Sequence, residues 1–234
     1  MKKTKGTMLF TMIIILVTIS FSCFFYNKSY AKKNINLFDE IINETNSKVK
    51  EKGVEFVFTL KNKNDLKKIS SYLNLNYKKV LNKLDNNNSI KLDENNIIGY
   101  IDKFYENNNT IISIKLSSKR EGLHIIDKIK NDIQLNLKEK KYNFKIFEYV
   151  KSKSSDTNID NINKNLLKTL KKYRCSNINT IRLERGYSTI AYTNTKKYDQ
   201  IISNDKFVDL NCAVCKYDSG NYVIIGTPQI NTTY

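Results

Sequence analysis

The stretch Val54-Glu55-Phe56-Val57-Phe58-Thr59-Leu60 decides the fold. It is dense in β-branched and aromatic residues and reads as a strand beginning just after Gly53. Upstream, Ile35, Phe38, Ile41, Ile42, Thr45 and Val49 share one helical stripe, predicting a helix over 35–49 that Gly53 ends. Downstream, Leu66, Ile69, Leu73, Tyr77, Val80 and Leu84 recur at three- and four-residue spacing and predict a second helix, with Asn74 and Asn76 as candidate breaks. An Asn-rich loop, Asp85–Ser89, follows. Ile97–Tyr105 and Thr110–Leu116 then alternate around Asn107-Asn108-Asn109, a hairpin pattern. Ser118 and Glu121 have capping-box spacing ahead of Leu123, Ile126, Ile129 and Ile133, predicting a third helix.

The order then restarts. Tyr142–Val150 reads as a strand, and Ile159, Ile162, Leu166, Leu170 and Tyr173 mark a helix. Ile178–Glu184 and Tyr187–Thr193 predict a hairpin turning near Arg185-Gly186, and Phe207–Tyr217 and Tyr222–Ile230 predict another across Asp218-Ser219-Gly220-Asn221. Strand–helix–hairpin order thus occurs twice. The expected class is α+β, as two-layer α/β sandwich units, each an antiparallel sheet with helices on one face. The expected division is 1–31 as a membrane anchor or signal peptide, 32–140 as an N-terminal α+β unit and 141–234 as a C-terminal one.

The first of these segments sets the expected location. Lys2, Lys3 and Lys5 precede an uncharged run from Gly6 to Tyr26. Such a run of about 20 residues is long enough to cross a hydrocarbon core of ~30 Å as a transmembrane helix, with everything after it outside the cytoplasm. Ser29 and Ala31 also supply the small residues a signal peptidase needs, so the chain is expected to be anchored through 6–26, or secreted if cleaved after Ala31. Bulky Phe21, two residues before Cys23, argues against a lipoprotein signal.

Forty basic side chains against 23 acidic give a formal charge of +17 over 234 residues. Only Arg120, Arg174, Arg182 and Arg185 are arginines; the other basic residues are lysines. Arginine is the residue of choice for bidentate phosphate and base contacts, so its scarcity argues against a nucleic-acid footprint. Asn and Ile are abundant alongside Lys, a pattern that A/T-rich codons explain without a ligand. Residues 1–31 contain four lysines and no acid, so an excess of +13 belongs to the remainder.

The chemistry-bearing residues are few. The single His124 lies one position off the Leu123–Ile126–Ile129 stripe and reads as a helix-flank residue. Cys212 and Cys215 stand three apart within a strand pattern, which points them to opposite faces. They read as core thiols, or as partners for one disulfide to Cys175, with the pairing open. No metal site, cofactor or catalytic residue is expected, and the paired carboxylates Asp93/Glu94 and Asp127/Asp132 read as a solvated surface. The strongest ligand-binding pattern is Lys141, Lys145, Phe147, Tyr149 and Lys151, one face of the Tyr142–Val150 strand, where aromatic rings flanked by lysines could stack bases or sugars. The other face, Tyr142, Phe144, Ile146 and Val150, is equally apolar, as in a central strand covered on both sides.

Residues Ser188-Thr189-Ile190-Ala191-Tyr192-Thr193, Asn211-Cys212-Ala213-Val214 before Lys216-Tyr217, and Tyr222-Val223-Ile224-Ile225-Gly226-Thr227-Pro228 with terminal Tyr234 carry a resemblance. Together they resemble the YwmB-like family of Gram-positive bacteria, which carries a TATA-box-binding-like fold label. Gln229 stands where that family has an apolar residue, and Ala191 where a Gly is common. The resemblance implies an exported α+β protein of unknown activity and brings no catalytic residues. Gly226, Thr227, Pro228 and Tyr234 enter as structural motif positions: Gly226 ends or bulges a strand, and Pro228 holds Thr227 extended. The expected function is therefore an extracytoplasmic, membrane-tethered or secreted envelope protein, a non-enzymatic binding module for another envelope protein or an anionic wall polymer. The alternative is a nucleic-acid-binding module that uses a saddle-shaped sheet.

Overall fold

Thirteen residues, Ser47–Thr59, form β1, and Val54, Phe56 and Phe58 on it alternate into the core with at most 2% exposure. The computed structural model describes residues 37–62, 64–73, 83–84, 87–94, 96–119, 123–195 and 198–230. Two compact units divide the chain, Met1–Glu40 and Ile41–Tyr234, and the first contributes only residues 37–40 to the description. Helix α1, Leu37–Glu44, begins there, and the polypeptide turns extended by Ser47, six residues before Gly53, the expected end of the helix.

Beside β1 lie β4 (Asn109–Lys119) and β5 (Phe144–Ser154), both antiparallel to it. With β2 (Ser89–Glu94), β3 (Ile97–Glu106), β6 (Ser176–Leu183), β7 (Gly186–Tyr192), β10 (Leu210–Tyr217) and β11 (Gly220–Thr227) they make one nine-stranded sheet in the order β2-β3-β4-β1-β5-β11-β10-β7-β6. All its neighbouring pairs are antiparallel. A separate two-stranded sheet pairs β8 (Ile201–Ser203) with β9 (Lys206–Val208). Helices α2 (Asp65–Tyr72), α3 (Leu123–Glu139) and α4 (Ile159–Lys172) complete a mixed α and β chain. Its order after β1 and after β5 is the same: helix, then a run of antiparallel strands. In both halves the leading strand pairs with the last strand of its run, β1 with β4 and β5 with β11. The sheet is continuous through the β1–β5 pair, across residues 140–141.

Cross-strand partners share a face. Val54, Phe56 and Phe58 stand opposite Leu116, Ile114 and Ile112 of β4, and all six join Leu66 and Ile69 of α2 and Ile126, Ile129, Ile133 and Leu137 of α3 in one core cluster. Each such side chain gains about 1.5–3 kcal/mol on burial. Lys52–Asp127 (2.8 Å) and Lys130–Glu148 (3.0 Å) tie α3 to β1 and β5. In α4, Asn158 caps the N-terminus by accepting from the N–H groups of Asp160 (2.9 Å) and Asn161 (3.1 Å), and Ile162, Leu166 and Leu170 are buried.

Local signals explain the hairpins. Asn107 and Asn108 connect β3 to β4 with φ of 48° and 64°, the left-handed conformation that two-residue hairpin loops require and Asn tolerates. Ser118 corrects the capping-box expectation: it belongs to β4 and its hydroxyl donates to the Asn96 carbonyl at 2.7 Å, while Glu121 lies outside the described residues. Most of the predicted second helix beyond Leu73, including Tyr77 and Val80, also lies outside them.

A transmembrane helix was expected, and that expectation is corrected: no helix among the described residues is long and apolar enough to cross a membrane. The longest, α3, has 17 residues with charges along it, short of the ~20 apolar residues a span needs. Residues 6–26, where the span was placed, lie outside the described residues, as does Cys23.

Asp65, buried in the first turn of α2, accepts hydrogen bonds from the Lys140 ammonium and the Tyr142 hydroxyl. Burial alone would raise its carboxyl, but these two donors outweigh it and hold the group below its ordinary value. Tyr142 is the hub of the contact, since its ring meets Phe58 edge-on at 5.4 Å and its oxygen accepts from the Lys61 N–H at 3.2 Å. A carboxyl depressed on folding stabilises above its unfolded value of ~3.9 and loses that contribution as pH falls through the folded value. Asp65→Asn should therefore cost about 1–3 kcal/mol in urea unfolding at pH 7. The gap to wild type should shrink as pH drops below ~4; a gap that stays constant down to pH 3 would refute the charge-based account.

Candidate functional site

The register of β5 sorts its side chains. Lys145, Phe147, Tyr149 and Lys151 stand opposite Val57, Glu55, Gly53 and Glu51 of β1, on the face away from Val54, Phe56 and Phe58. Four of the five predicted binding residues therefore share one face. Lys141 does not: it sits in the turn before β5 with φ of 53°, and its carbonyl accepts from the Lys61 ammonium at 2.9 Å. The β5 strand is the fifth of nine, a central strand as expected.

The four residues differ in what they offer. Tyr149 is only 6% exposed, and its hydroxyl donates to Glu51 Oε1 at 2.5 Å. Its ring lies across Gly53, where an added Cβ would come within 2.1 Å of Tyr149 Cε1. Tyr149 is thus committed to roofing β1, and only glycine at 53 leaves room for it. Lys151 places its ammonium 4.7 Å from the Tyr217 ring centre and 5.5 Å from that of Tyr222, two rings packed edge-to-face at 5.2 Å. Phe147 is half-buried and Lys145 exposed.

Registers carry the same face outward through Lys115 of β4, Tyr100 of β3 and Lys91 of β2, which align with Glu55 and Phe147 in one cross-strand row. Ile98, Tyr100 and Phe104 are exposed there at 40–44%. Described lysines on the face are Lys48, Lys91, Lys115, Lys119, Lys145, Lys151 and Lys153; the carboxylates are Glu51, Glu55, Asp93, Asp102 and Glu106. Aromatic and charge-balanced, this face carries little of the chain's positive excess. A depression lined by Glu55, Lys115, Phe147 and Tyr149 is too shallow to enclose a water molecule.

The motif after β11 closes one end of this face. Thr227 is buried and joined to Pro228 through a cis peptide bond. The chain then turns back so that the Gln229 carbonyl and Ile230 lie over Gly226, each 2.9 Å from where a Cβ would stand. Ile230 packs against the cluster of Ala213, Cys215 and Ile224. Gly226 thus permits a close chain crossing, and Tyr234 lies outside the described residues.

Cys175, Cys212 and Cys215 are free thiols. Cys212 stands opposite Ile225 and Cys215 opposite Tyr222, so the pair faces opposite sides of β10. Burial pushes the thiols of Cys175 and Cys215 up to about 11 and that of Cys212 higher still. Thiolates are therefore scarce at neutral pH, the reverse of a nucleophilic or metal-binding cysteine. Among the described residues no group of three or more His, Cys, Asp or Glu is placed to hold a metal ion. His124 is the second residue of α3 and is exposed.

Asp209 was absent from the sequence expectations. It is fully buried between β9 and β10 and accepts from the Thr193 N–H at 2.7 Å and the Thr193 hydroxyl at 2.5 Å. Burial raises its carboxyl, against the pull of those donors. An acid inside the apolar run Phe207-Val208-Asp209-Leu210 was the available signal, and it marks the break of the predicted Phe207–Tyr217 strand into β9 and β10.

Neither a family model nor a curated protein matches the chain.

Two outcomes follow from this geometry. Gly53→Ala should destabilise the protein by about 2 kcal/mol or more, through the clash with the Tyr149 ring. In a Tyr149→Leu background the same change should cost at least ~1 kcal/mol less in a double-mutant cycle, and strict additivity would rule out the contact. Peptide-level mass spectrometry after iodoacetamide treatment at pH 8 should find Cys175, Cys212 and Cys215 alkylated more than roughly 100-fold slower in the native protein than in urea. Equal rates at any of the three would contradict its burial.

Proposed function

We propose that the chain is a non-enzymatic binding module acting outside the cytoplasm, and that it engages a protein partner through the face of β5 bearing Lys145, Phe147 and Lys151. The observation that carries this reading is the row Lys91–Tyr100–Lys115–Glu55–Phe147, which crosses the middle of the sheet on the side away from the α2 and α3 core. We read the architecture as two layers, with helices on one side and this face left for a ligand. Exposed aromatics among mixed charges match the composition of protein-recognition surfaces, where Tyr and Phe are enriched and both charge signs occur. Tyr149, Tyr217 and Tyr222 stiffen the platform rather than contact the ligand.

Export is supported by the three lysines and the uncharged run that follows them in residues 1–26. The resemblance to the YwmB-like family adds to that reading without naming an activity. A nucleic-acid role for the same face has less support, because five carboxylates are interspersed among seven lysines there, and duplex binders concentrate positive charge where they touch phosphate.

A photo-crosslinking amino acid at Tyr100 or Phe104, in cells that produce the protein, tests the reading. A discrete protein adduct should form at both positions and vanish on Phe147→Glu. Adducts no stronger than those from a probe at Leu135 on α3 would overturn it, as would finding the protein in the cytosol with residues 1–31 intact. Retardation of an AT-rich duplex that is lost on Phe147→Ala would establish the nucleic-acid alternative instead.

A further inference from the structure

Part of the chain's positive excess lies on α4, which has four lysines and one aspartate. After Asp160 in its first turn, this helix carries Lys164, Lys168, Lys171 and Lys172 and no further carboxylate. Lys172 pairs with Glu44 at 3.2 Å, and Asp160 is held by Arg182 and Tyr187. Lys164, Lys168 and Lys171 are exposed and form no ion pair with any described residue. Their spacing of four and three residues puts them on one side of the helix, within about 10 Å along its axis at ~1.5 Å per residue. That span is close to the ~8 Å screening length at physiological salt, so the three ammonium groups act on one ligand together.

The neighbouring helix shows that this is not a general property of the chain's helices. In α3, Lys128, Lys130 and Lys138 are interleaved with Asp127, Asp132 and Glu139, and Lys130 and Asp127 are each engaged in an ion pair with the sheet. An uncompensated like-charge row is unfavourable to a helix on its own, and a bound anion relieves it. The row is also held in place: the Asn158 cap and the Asp160–Arg182–Tyr187 contacts fix one end of α4, and Ile162, Leu166 and Leu170 are buried beneath it.

We propose that Lys164, Lys168 and Lys171 form a docking track for a linear polyanion with regularly repeated phosphates, the chemistry of a phosphodiester wall polymer. Lysines suit this ligand, since each is a compact point charge on a flexible stem that follows successive phosphates without demanding one geometry. A lipid surface fits less well. Interfacial helices insert apolar side chains, whereas the exposed large apolar residues described here lie on β3, β6, β8, β9 and α3 and none on α4. This surface is separate from the β5 face, so either reading can fail alone.

Labelled inorganic polyphosphate, titrated by fluorescence anisotropy into the full chain, serves as the probe. Binding near 50 mM salt should weaken with a log–log salt slope of about −2, as three contacts to a single strand predict. K164E/K168E/K171E should bind at least roughly tenfold more weakly, with the slope moving toward zero. K67E/K128E/K138E makes the same change in net charge elsewhere and should stay within about threefold of wild type. If circular dichroism shows the first triple unfolded, K164Q/K168Q/K171Q replaces it with the same expected loss. Equal weakening by both triples, no binding by wild type, or tighter binding of anionic lipid vesicles or AT-rich duplex through these lysines would each overturn the proposal.

Discussion

The antiparallel pairing of β1 with β5 is the constraint on which the rest of the chain depends. It joins the two runs of strands into one sheet, and its register fixes what each face carries. With Phe56 opposite Ile146 and Gly53 opposite Tyr149, the apolar residues of β1 meet α2 and α3 while Tyr149 closes over the one position without a side chain. Side chains alternate with period two, so a slip of one residue would turn Phe56 and Phe58 to solvent and set Glu55 in the core. Gly53 reinforces the register from the other side, because every other residue of β1 carries a Cβ where the Tyr149 ring must lie. The same pairing puts Phe147 and Lys145 on the face opposite to Phe56 and Phe58.

Buried polar groups secure the places where hydrophobic packing alone would be permissive. Asp65 anchors α2 to the turn before β5 through Lys140 and Tyr142, and Asp209 anchors β10 to the end of β7 through Thr193. The two acids respond oppositely to pH. Asp65, depressed on folding, stabilises when ionised and loses that contribution as pH falls; Asp209, raised on folding, favours the folded state at low pH and less so as pH rises through its folded value. The two pH windows meet at the unfolded value of ~3.9 rather than overlapping, so together the two acids favour the folded state most near that pH.

Elements with a strong local signal were legible in the sequence. The helix Ile159–Lys172 follows from its Ile162–Leu166–Leu170 spacing, and the β3–β4 hairpin from Asn107-Asn108-Asn109 flanked by alternating strands. What stayed hidden depends on distant partners. The first half of β1, with lysines at 48, 50 and 52, looks like a solvated helix end until β5 pairs with it. Strand β2 carries no strand signal of its own beyond the Asn-rich loop that ends at Ser89, since Ser89–Glu94 becomes a strand only against β3. Phe147, Tyr149 and Lys151 were correctly placed on one face, but nothing local separates a free aromatic from a committed one. Gly53, 96 positions earlier in the chain, turns Tyr149 into a structural roof.

Charge distribution, rather than net charge, distinguishes the possible ligands. A formal +17 is compatible with a polyanion anywhere on the surface, yet the register intersperses five carboxylates among seven lysines on the face of the sheet that carries Phe147. A duplex laid across that face would meet carboxylates on β1 and β3 as it met lysines on β4 and β5, and the counterion release that drives such binding would largely cancel. On α4, Lys164, Lys168 and Lys171 form no ion pair with any described residue and lie within about one screening length of one another. The two proposed surfaces therefore differ in charge: mixed charges among aromatic rings on the strands, and three lysines without an ion pair on the helix.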